Sequence, residues 1–258
     1  MSDFEKIVYE FSQVEQVRAI ALAGSVASGT ADEDSDFDVY IYAENEIPLE
    51  VRECIAKKYA KEPSLDNRYW ETGDEMILAD SKKGLDIMYR SPEWIEGIVK
   101  GVYDDKIAWL GYSTAFLHNI SSSKILYDKD GWFLALQSKV NAGYPEELAQ
   151  NIIKKNFLLL KRKRYASFYA QIKNALKRKD YVSVNHRVTA FLASYFDVLF
   201  ALNRVFHPGE KRLVAYAKKL CEKLPENFES DFSRLFEGRN DEILEILDSL
   251  ERNLGQLL

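Results

Sequence analysis

Polar and apolar positions near the start of the chain follow the period of β-strands. Residues 17–23 form an almost continuous apolar run that ends at Gly24, which predicts a buried strand followed by a turn. Residues 36–42 alternate strictly, with apolar side chains on one face and Asp36, Asp38 and two tyrosines on the other. The second segment therefore predicts a strand with an acidic face.

Further along, the chain divides into a mixed part and a helical part. Residues 25–29 predict a short helix and 49–59 an amphipathic one, whereas 75–79 and 85–89 predict short strands. Strand patterns nearly vanish after Pro92, and helical spacing takes over beyond Gly143-Tyr144-Pro145. The predicted helices of this part cover residues 146–178, 181–205, 210–223 and 239–256.

This succession predicts an α+β fold in two domains, a mixed strand and helix domain over 1–143 and a helical domain over 144–258. The composition agrees, because 47% of the 258 residues are hydrophobic and glycine and proline occur at ordinary frequency. Disordered, collagen-like and coiled-coil chains are excluded.

The net charge of -6 is divided unevenly along the chain. Residues 1–143 carry 15 basic and 26 acidic side chains, and residues 144–258 carry 20 and 15. The acidic balance argues against a protein that coats nucleic acid. The most basic stretch, 154–179, has ten Lys or Arg and no acid. It is either a solvated helix face or a wall that faces a polyphosphate or RNA.

Export and disulfide chemistry are not expected. Cys54 and Cys221 are too few for a disulfide framework or a Cys-rich zinc site, so both are interpreted as reduced packing residues. The first residues are acidic where a signal peptide needs a basic start. The most apolar window, 191–202, is broken by Asp197 and is shorter than the roughly 20 residues of a membrane helix. We therefore expect a cytoplasmic protein with no membrane partner.

Gly24 and Ser25 stand at the predicted turn from strand to helix, where backbone N–H groups and the helix dipole favour a phosphate. The segment from Gly24 imitates a P-loop spacing, but Thr30 and Ala31 occupy the positions of the required Lys and Ser or Thr. A P-loop is therefore excluded. A glycine at a turn is also an ordinary structural feature.

Three acids are candidates for metal or acid–base chemistry. The strand period places Asp36 and Asp38 on one face, about 6.6 Å apart along the chain, where the pair can share a divalent ion such as Mg²⁺. Asp86 interrupts an apolar strand, and an acid is costly to bury there without a partner. If its strand lies beside residues 36–42, its carboxylate joins the other two. A solvated strand end and an exposed edge strand are the respective alternatives.

These residues in this order resemble the DNA polymerase β-like nucleotidyltransferase superfamily. The motif is Ala23-Gly24-Ser25 followed by Ser35-Asp36-Phe37-Asp38-Val39, and the window AGSVASGTADEDSDFDVYIY is similar to aminoglycoside and lincosamide nucleotidyltransferases. A looser likeness to an uncharacterised bacterial family lies in Tyr69-Trp70-Glu71 and residues 203–213 and brings no substrate with it.

The resemblance implies a mixed-sheet nucleotidyltransferase domain followed by an all-helical domain that binds the acceptor and closes the cleft. It implies that Asp36 and Asp38 bind Mg²⁺, and that Asp86 completes the metal site or deprotonates the acceptor hydroxyl.

For the nucleotide, the resemblance implies that Gly24, Ser25 and Ser35 hold the phosphates. It also implies a Lys against the triphosphate, for which Lys211 and Arg212 are candidates, although both positions suit ordinary surface residues.

The implied function is transfer of a nucleoside monophosphate from a nucleoside triphosphate, with ATP expected, to a hydroxyl of a small molecule, with release of pyrophosphate. An acceptor that is a protein or RNA, as in toxin–antitoxin pairs or tRNA end formation, stays open, as does an inactive binding module. The acidic first domain makes nucleic acid the less expected partner. Glu71, Asp74 and Glu75 either contact a cationic acceptor or lie in a solvated loop.

Overall fold

The computed structural model describes residues 1–24, 35–69, 71–161, 167–237 and 242–258. The chain forms two compact units, the first made of Met1–Lys100 and Asn119–Ala142, the second of Gly101–His118 and Gly143–Leu258. The sequence-based division differs in residues 101–118, which it placed in the first domain. They group with the second unit because their polar groups bond to its buried side chains, as described below.

The first unit contains a mixed six-stranded sheet. Its strands lie in the order β3-β4-β5-β2-β1-β6, with β2 and β5 parallel and the other neighbours antiparallel. The strands are β1 Val17–Ala23, β2 Phe37–Ala43, β3 Ala60–Asn67, β4 Gly73–Leu78, β5 Gly84–Arg90 and β6 Lys124–Asp128.

Four of these strands were predicted from the sequence, and the two edge strands were not. The sequence of β3, AKEPSLDN, is polar and contains a proline, which sheets tolerate at an edge. Only five residues form β6. Neither edge strand has the alternation by which a half-buried strand is identified.

Helices pack against both faces of the sheet, since Trp132 and Phe133 contact Tyr42 on the face that also carries Asp38. Helices of the first part of the chain are α1 Asp3–Ser12, α2 Leu49–Tyr59, α3 Pro92–Val99, α4 Ala115–Ser122 and α5 Trp132–Asn141, and a π-helical turn Lys100–Asp104 follows α3. Ile7 and Phe11 of α1 share one core with Ile55 of α2 and with Val39 and Ile87 of the sheet. Because strand side chains alternate, Asp38 and Asp86 project from the opposite face.

The second unit is helical. Its further helices are α6 Glu146–Leu160, α7 Phe168–Lys177, α8 Tyr181–Leu202, α9 Leu213–Leu220, α10 Phe228–Glu237 and α11 Ile243–Gly255. Phe191, Tyr195 and Leu199 of α8 are fully buried in its core. The chain is thus an α+β protein with a mixed sheet followed by helices, as predicted, although the predicted helix over 146–178 is two helices and α10 was missed. No helix within the described ranges is long and apolar enough to cross a membrane.

A buried polar cluster attaches residues 109–113 to the helices of the second unit. Asp197 of α8 is 1% exposed. It accepts hydrogen bonds from Ser113 N (3.0 Å), Ser113 Oγ (2.6 Å) and Asn156 Nδ2 (3.2 Å). Asn156 also donates to Trp109 O (2.9 Å) and accepts from Gly111 N (3.0 Å). These bonds explain why the segment packs with the second unit.

The burial of Asp197 makes the free energy of unfolding depend on pH. Burial raises the pKa of this carboxyl to about 7, against the lowering effect of the Ser113 hydrogen bonds. Between the pKa of an unfolded Asp, about 4, and this value, the folded chain binds more protons, so the free energy of unfolding falls as pH rises. Relative to Asp197→Asn, the parent should lose about 2 to 3 kcal/mol between pH 5 and pH 8.

Urea unfolding of both chains at the two pH values measures this difference. Other titrating groups are shared by the two chains and cancel in the comparison. Equal pH dependence in parent and variant would show that Asp197 ionises at its ordinary pKa.

Candidate active site

Two carboxylates meet where β2 and β5 pair. Asp38 of β2 is the direct register partner of Asp86 of β5, so the strand pairing expected from the sequence is present. Ala23, the last residue of β1, is the partner of Asp38 on its other side. Register partners share a face and neighbouring strands are about 4.8 Å apart, so the two half-buried side chains lie side by side.

Gly24 leaves the room that the Asp38 carboxylate occupies. Its backbone φ is +65°, a region that residues with a Cβ rarely adopt. A Cβ on Gly24 would overlap the Asp38 carboxylate oxygen and lie 2.8 Å from its Cγ. Both the backbone conformation and the close approach therefore require glycine beside Asp38.

A second glycine, Gly84, leaves room for the Asp36 carboxylate. The Gly84 N–H donates a 3.0 Å hydrogen bond to Asp36 Oδ1, and a Cβ on Gly84 would lie 2.6 Å from Asp36 Cγ. Sequence reasoning missed Gly84, although a glycine directly before a strand was the available signal. Both acids of the motif are thus packed against glycine backbone.

Two of the acids considered as acceptor contacts have internal partners instead. Asp74, 1% exposed, pairs with Arg52 Nη1 at 2.8 Å and accepts a 2.7 Å hydrogen bond from the Tyr89 hydroxyl. Glu71 accepts from Arg90 Nε at 2.6 Å and from Arg90 Nη2 at 2.8 Å. The alternative of a solvated loop is wrong for Asp74, which is buried in β4, whereas Glu71 lies in a half-exposed bend and its contact with an acceptor stays a prediction.

Glu75 lies at the site. It is exposed on β4 and is the register partner of Asp86, so an acidic row of Glu75, Asp86 and Asp38 crosses three neighbouring strands on one face. Two residues further along β2, burial raises the pKa of Tyr40 and the charge of Asp38 raises it further. Arg90, 3.8 Å from the Tyr40 ring, acts in the opposite direction.

The donor set fits Mg²⁺ through two carboxylates. Among the described residues, no group of three or more His, Cys, Asp and Glu is placed to hold a metal ion. Mg²⁺ needs only one or two carboxylates when water and substrate phosphates supply its other ligands. Asp38 and Asp86 provide such a pair, and Asp36 has one oxygen engaged by the Gly84 N–H. A ligand role for Asp36 stays a prediction.

The remaining predicted site residues lie in different parts of the chain. Ser35 immediately precedes Asp36 and is half-buried. Ser25 and the predicted helix over 25–29 lie outside the described residues. Lys211 is exposed in the second unit, just before α9. Nucleotide contacts by these residues stay predictions.

Comparison with known proteins covers both parts of the chain. Residues 5–84 match the family described as polymerase beta, nucleotidyltransferase, and residues 109–213 match a domain of unknown function, DUF4037. No curated protein matches the chain. A solved nucleotidyltransferase-like protein from Exiguobacterium sibiricum 255-15 is similar over 97% of this chain and 72% of its own, at 12% identity and a TM-score of 0.47.

The match over 5–84 spans α1, the motif from Gly24 to Asp38 and the start of β5. Together with the mixed sheet, it shows that this chain has a polymerase β-like nucleotidyltransferase fold. The general chemistry that this fold supports is nucleotidyl transfer.

The contact between Gly24 and Asp38 can be tested with matched glycine variants. Gly24→Ala should displace the Asp38 carboxylate and lower the affinity for a Mg²⁺-bound nucleoside triphosphate by about tenfold or more, since a charge-assisted contact is lost. Gly131 has a similar φ of +74°, but a Cβ there would meet nothing within 4 Å. Gly131→Ala therefore introduces the backbone strain without a steric clash.

Calorimetric titration of both variants, with unfolding measured in parallel, separates binding from stability. We expect both to lose about 1 kcal/mol or more of stability and only Gly24→Ala to lose affinity. Parent-like binding by Gly24→Ala would show that the nucleotide does not bind at Asp38.

Proposed function

We propose that this chain is a Mg²⁺-dependent nucleotidyltransferase that moves a nucleoside monophosphate, from ATP or another nucleoside triphosphate, to a hydroxyl of a small molecule. The observation that carries the proposal is the register pairing of Asp38 with Asp86 on a sheet of the polymerase β type. Like charges held side by side are unfavourable unless a cation neutralises them, which a metal-bound triphosphate does.

In this proposal Asp38 and Asp86, with Asp36, would hold the metal ion, and Gly24 and Ser35 would contact the phosphates. Bound there, Mg²⁺ would neutralise charge on the reacting phosphate. The acceptor oxygen forms a bond to the α-phosphorus, the bond from that phosphorus to the bridging oxygen breaks, and pyrophosphate leaves. The hydroxyl proton passes to a carboxylate, for which Asp86 is the candidate.

The charge of the site favours a small acceptor without phosphates of its own. Glu75 extends the pair Asp38 and Asp86 by one strand, and residues 1–143 carry an excess of acidic side chains. A polyanionic acceptor such as RNA would be repelled by this field. The acidic row supports a neutral or cationic hydroxyl compound.

Pyrophosphate release tests the reaction. The parent is screened with the four nucleoside triphosphates and Mg²⁺ against hydroxyl compounds, RNA and a protein extract. For a productive pair, Asp38→Asn should reduce release by about a hundredfold or more, the scale of a metal or acid–base contribution. Asp130→Asn removes an exposed acid of the same unit and should stay within about twofold, as expected for a surface charge.

Parent-like release by Asp38→Asn would exclude its carboxylate from the reaction. Release only with RNA or protein would move the acceptor to the macromolecular alternative. Binding of the nucleotide with no release from any pair would favour the inactive binding module.

Asp86→Asn separates the two roles considered for Asp86. If Asp86 is a metal ligand, the variant should lose both affinity for the Mg²⁺-bound nucleotide and turnover. If Asp86 is the base, the variant should lose turnover alone. The loss is about a hundredfold in either case. Stability should be unchanged or raised, because repulsion from Asp38 is relieved in the metal-free chain. Calorimetric affinity and turnover are measured on the same samples. Turnover within about threefold of the parent would exclude both roles.

A further inference from the structure

A large apolar cavity lies within the second unit. Its volume is about 1120 Å³, and it is bounded by α8, α9, α10 and Tyr112. Leu192 and Phe196 of α8 and Phe232 of α10 supply apolar walls. Phe236 lies at its edge and is 68% exposed. A cavity of this volume is large enough to hold a small-molecule ligand, since such pockets measure about 300 to 1,000 Å³.

The rim of the cavity is cationic. Lys211, Arg212, Lys218 and Lys219 line it against the acids Glu210 and Glu229. Lys218 pairs with Glu229 at 2.7 Å. Lys211 and Lys219 are exposed and form no ion pair with any residue in the described part of the chain. Positive charge is therefore left at the mouth of an apolar space.

The wall at Tyr112 is held in an unfavourable backbone conformation. Tyr112 has φ +55° and follows Gly111 at φ +77°, although residues with a Cβ seldom adopt this region. The buried bonds of Gly111 to Asn156 and of Ser113 to Asp197 hold the turn on both sides of Tyr112. Strain that a buried network maintains is a feature of ligand sites.

We propose that this cavity binds a small amphipathic anion. Its apolar ring or chain packs between α8 and α10, and its carboxylate, sulfonate or phosphate group lies at the rim near Lys219. A nucleotide fits less well, because the polar edges of a base need hydrogen-bond partners and the walls are largely apolar. The inference concerns the second unit alone and does not depend on the proposed transfer reaction.

Two fluorescent probes of nearly the same shape test the proposal on the full chain. 8-Anilinonaphthalene-1-sulfonate carries an anionic group, and N-phenyl-1-naphthylamine lacks it.

Thr189 is exposed on the α8 wall, so Thr189→Trp narrows the cavity without altering the core. It should weaken both probes by about threefold or more, since the indole occupies space against the α8 wall on which their rings pack. Lys219→Glu should weaken the sulfonate by about fivefold and the neutral probe by less than about twofold.

Matched controls distinguish the cavity from general surface effects. Val182→Trp adds the same side chain at an exposed position of α8, and Lys177→Glu reverses an exposed charge in the last turn of α7. Both should bind the probes like the parent. Near-ultraviolet circular dichroism and the melting temperature of each variant confirm that the fold is retained.

Several outcomes would overturn the proposal. Parent-like binding by Thr189→Trp would place the probes elsewhere, and equal effects of Lys219→Glu and Lys177→Glu would reduce the charge preference to net charge. Displacement of the sulfonate probe by ATP would assign the cavity to the nucleotide. Loss of a dimer in Thr189→Trp, measured by sedimentation, would identify the cavity wall as an interface between two copies.

Discussion

The parallel register of β2 against β5 is the constraint on which the candidate site depends. Val39 and Ile87 are partners on the face that packs against α1 and α2, so the preceding residues, Asp38 and Asp86, must be partners on the other face. A slip by one residue would bury an acid among apolar side chains and expose an isoleucine or a valine. The apolar core thus determines where the two carboxylates meet.

Local sequence patterns predicted the strands that form this register. The features that these patterns did not predict depend on tertiary contacts. The alternation in residues 36–42 was sufficient to place Asp38 opposite the core. Gly84 could be noticed as the residue before the predicted strand over 85–89, but the reason for a glycine there could not, because it is the Asp36 side chain, which precedes a different strand. Cys54 was expected to pack in the core and is exposed, whereas Cys221 is buried as expected.

The partners of the buried acids also could not be predicted from the local sequence. Asp74 and Asp197 are each about 1% exposed, and their partners Arg52 and Ser113 stand 22 and 84 residues away in the sequence. Nothing in their local sequence separates these acids from Asp86. An acid in an apolar segment therefore predicts a partner, and only the fold identifies that partner.

The two units present opposite charge to their ligands, and this difference separates their chemistry. The row of Glu75, Asp86 and Asp38 is unfavourable for an anion that arrives without a cation, so the proposed binding of a triphosphate there would require Mg²⁺. The rim at Lys211 and Lys219 attracts an anion directly. Under the two proposals, dependence on Mg²⁺ is expected of ligands of the first unit, and a ligand that binds equally well in the presence of a chelator is expected to bind in the cavity of the second.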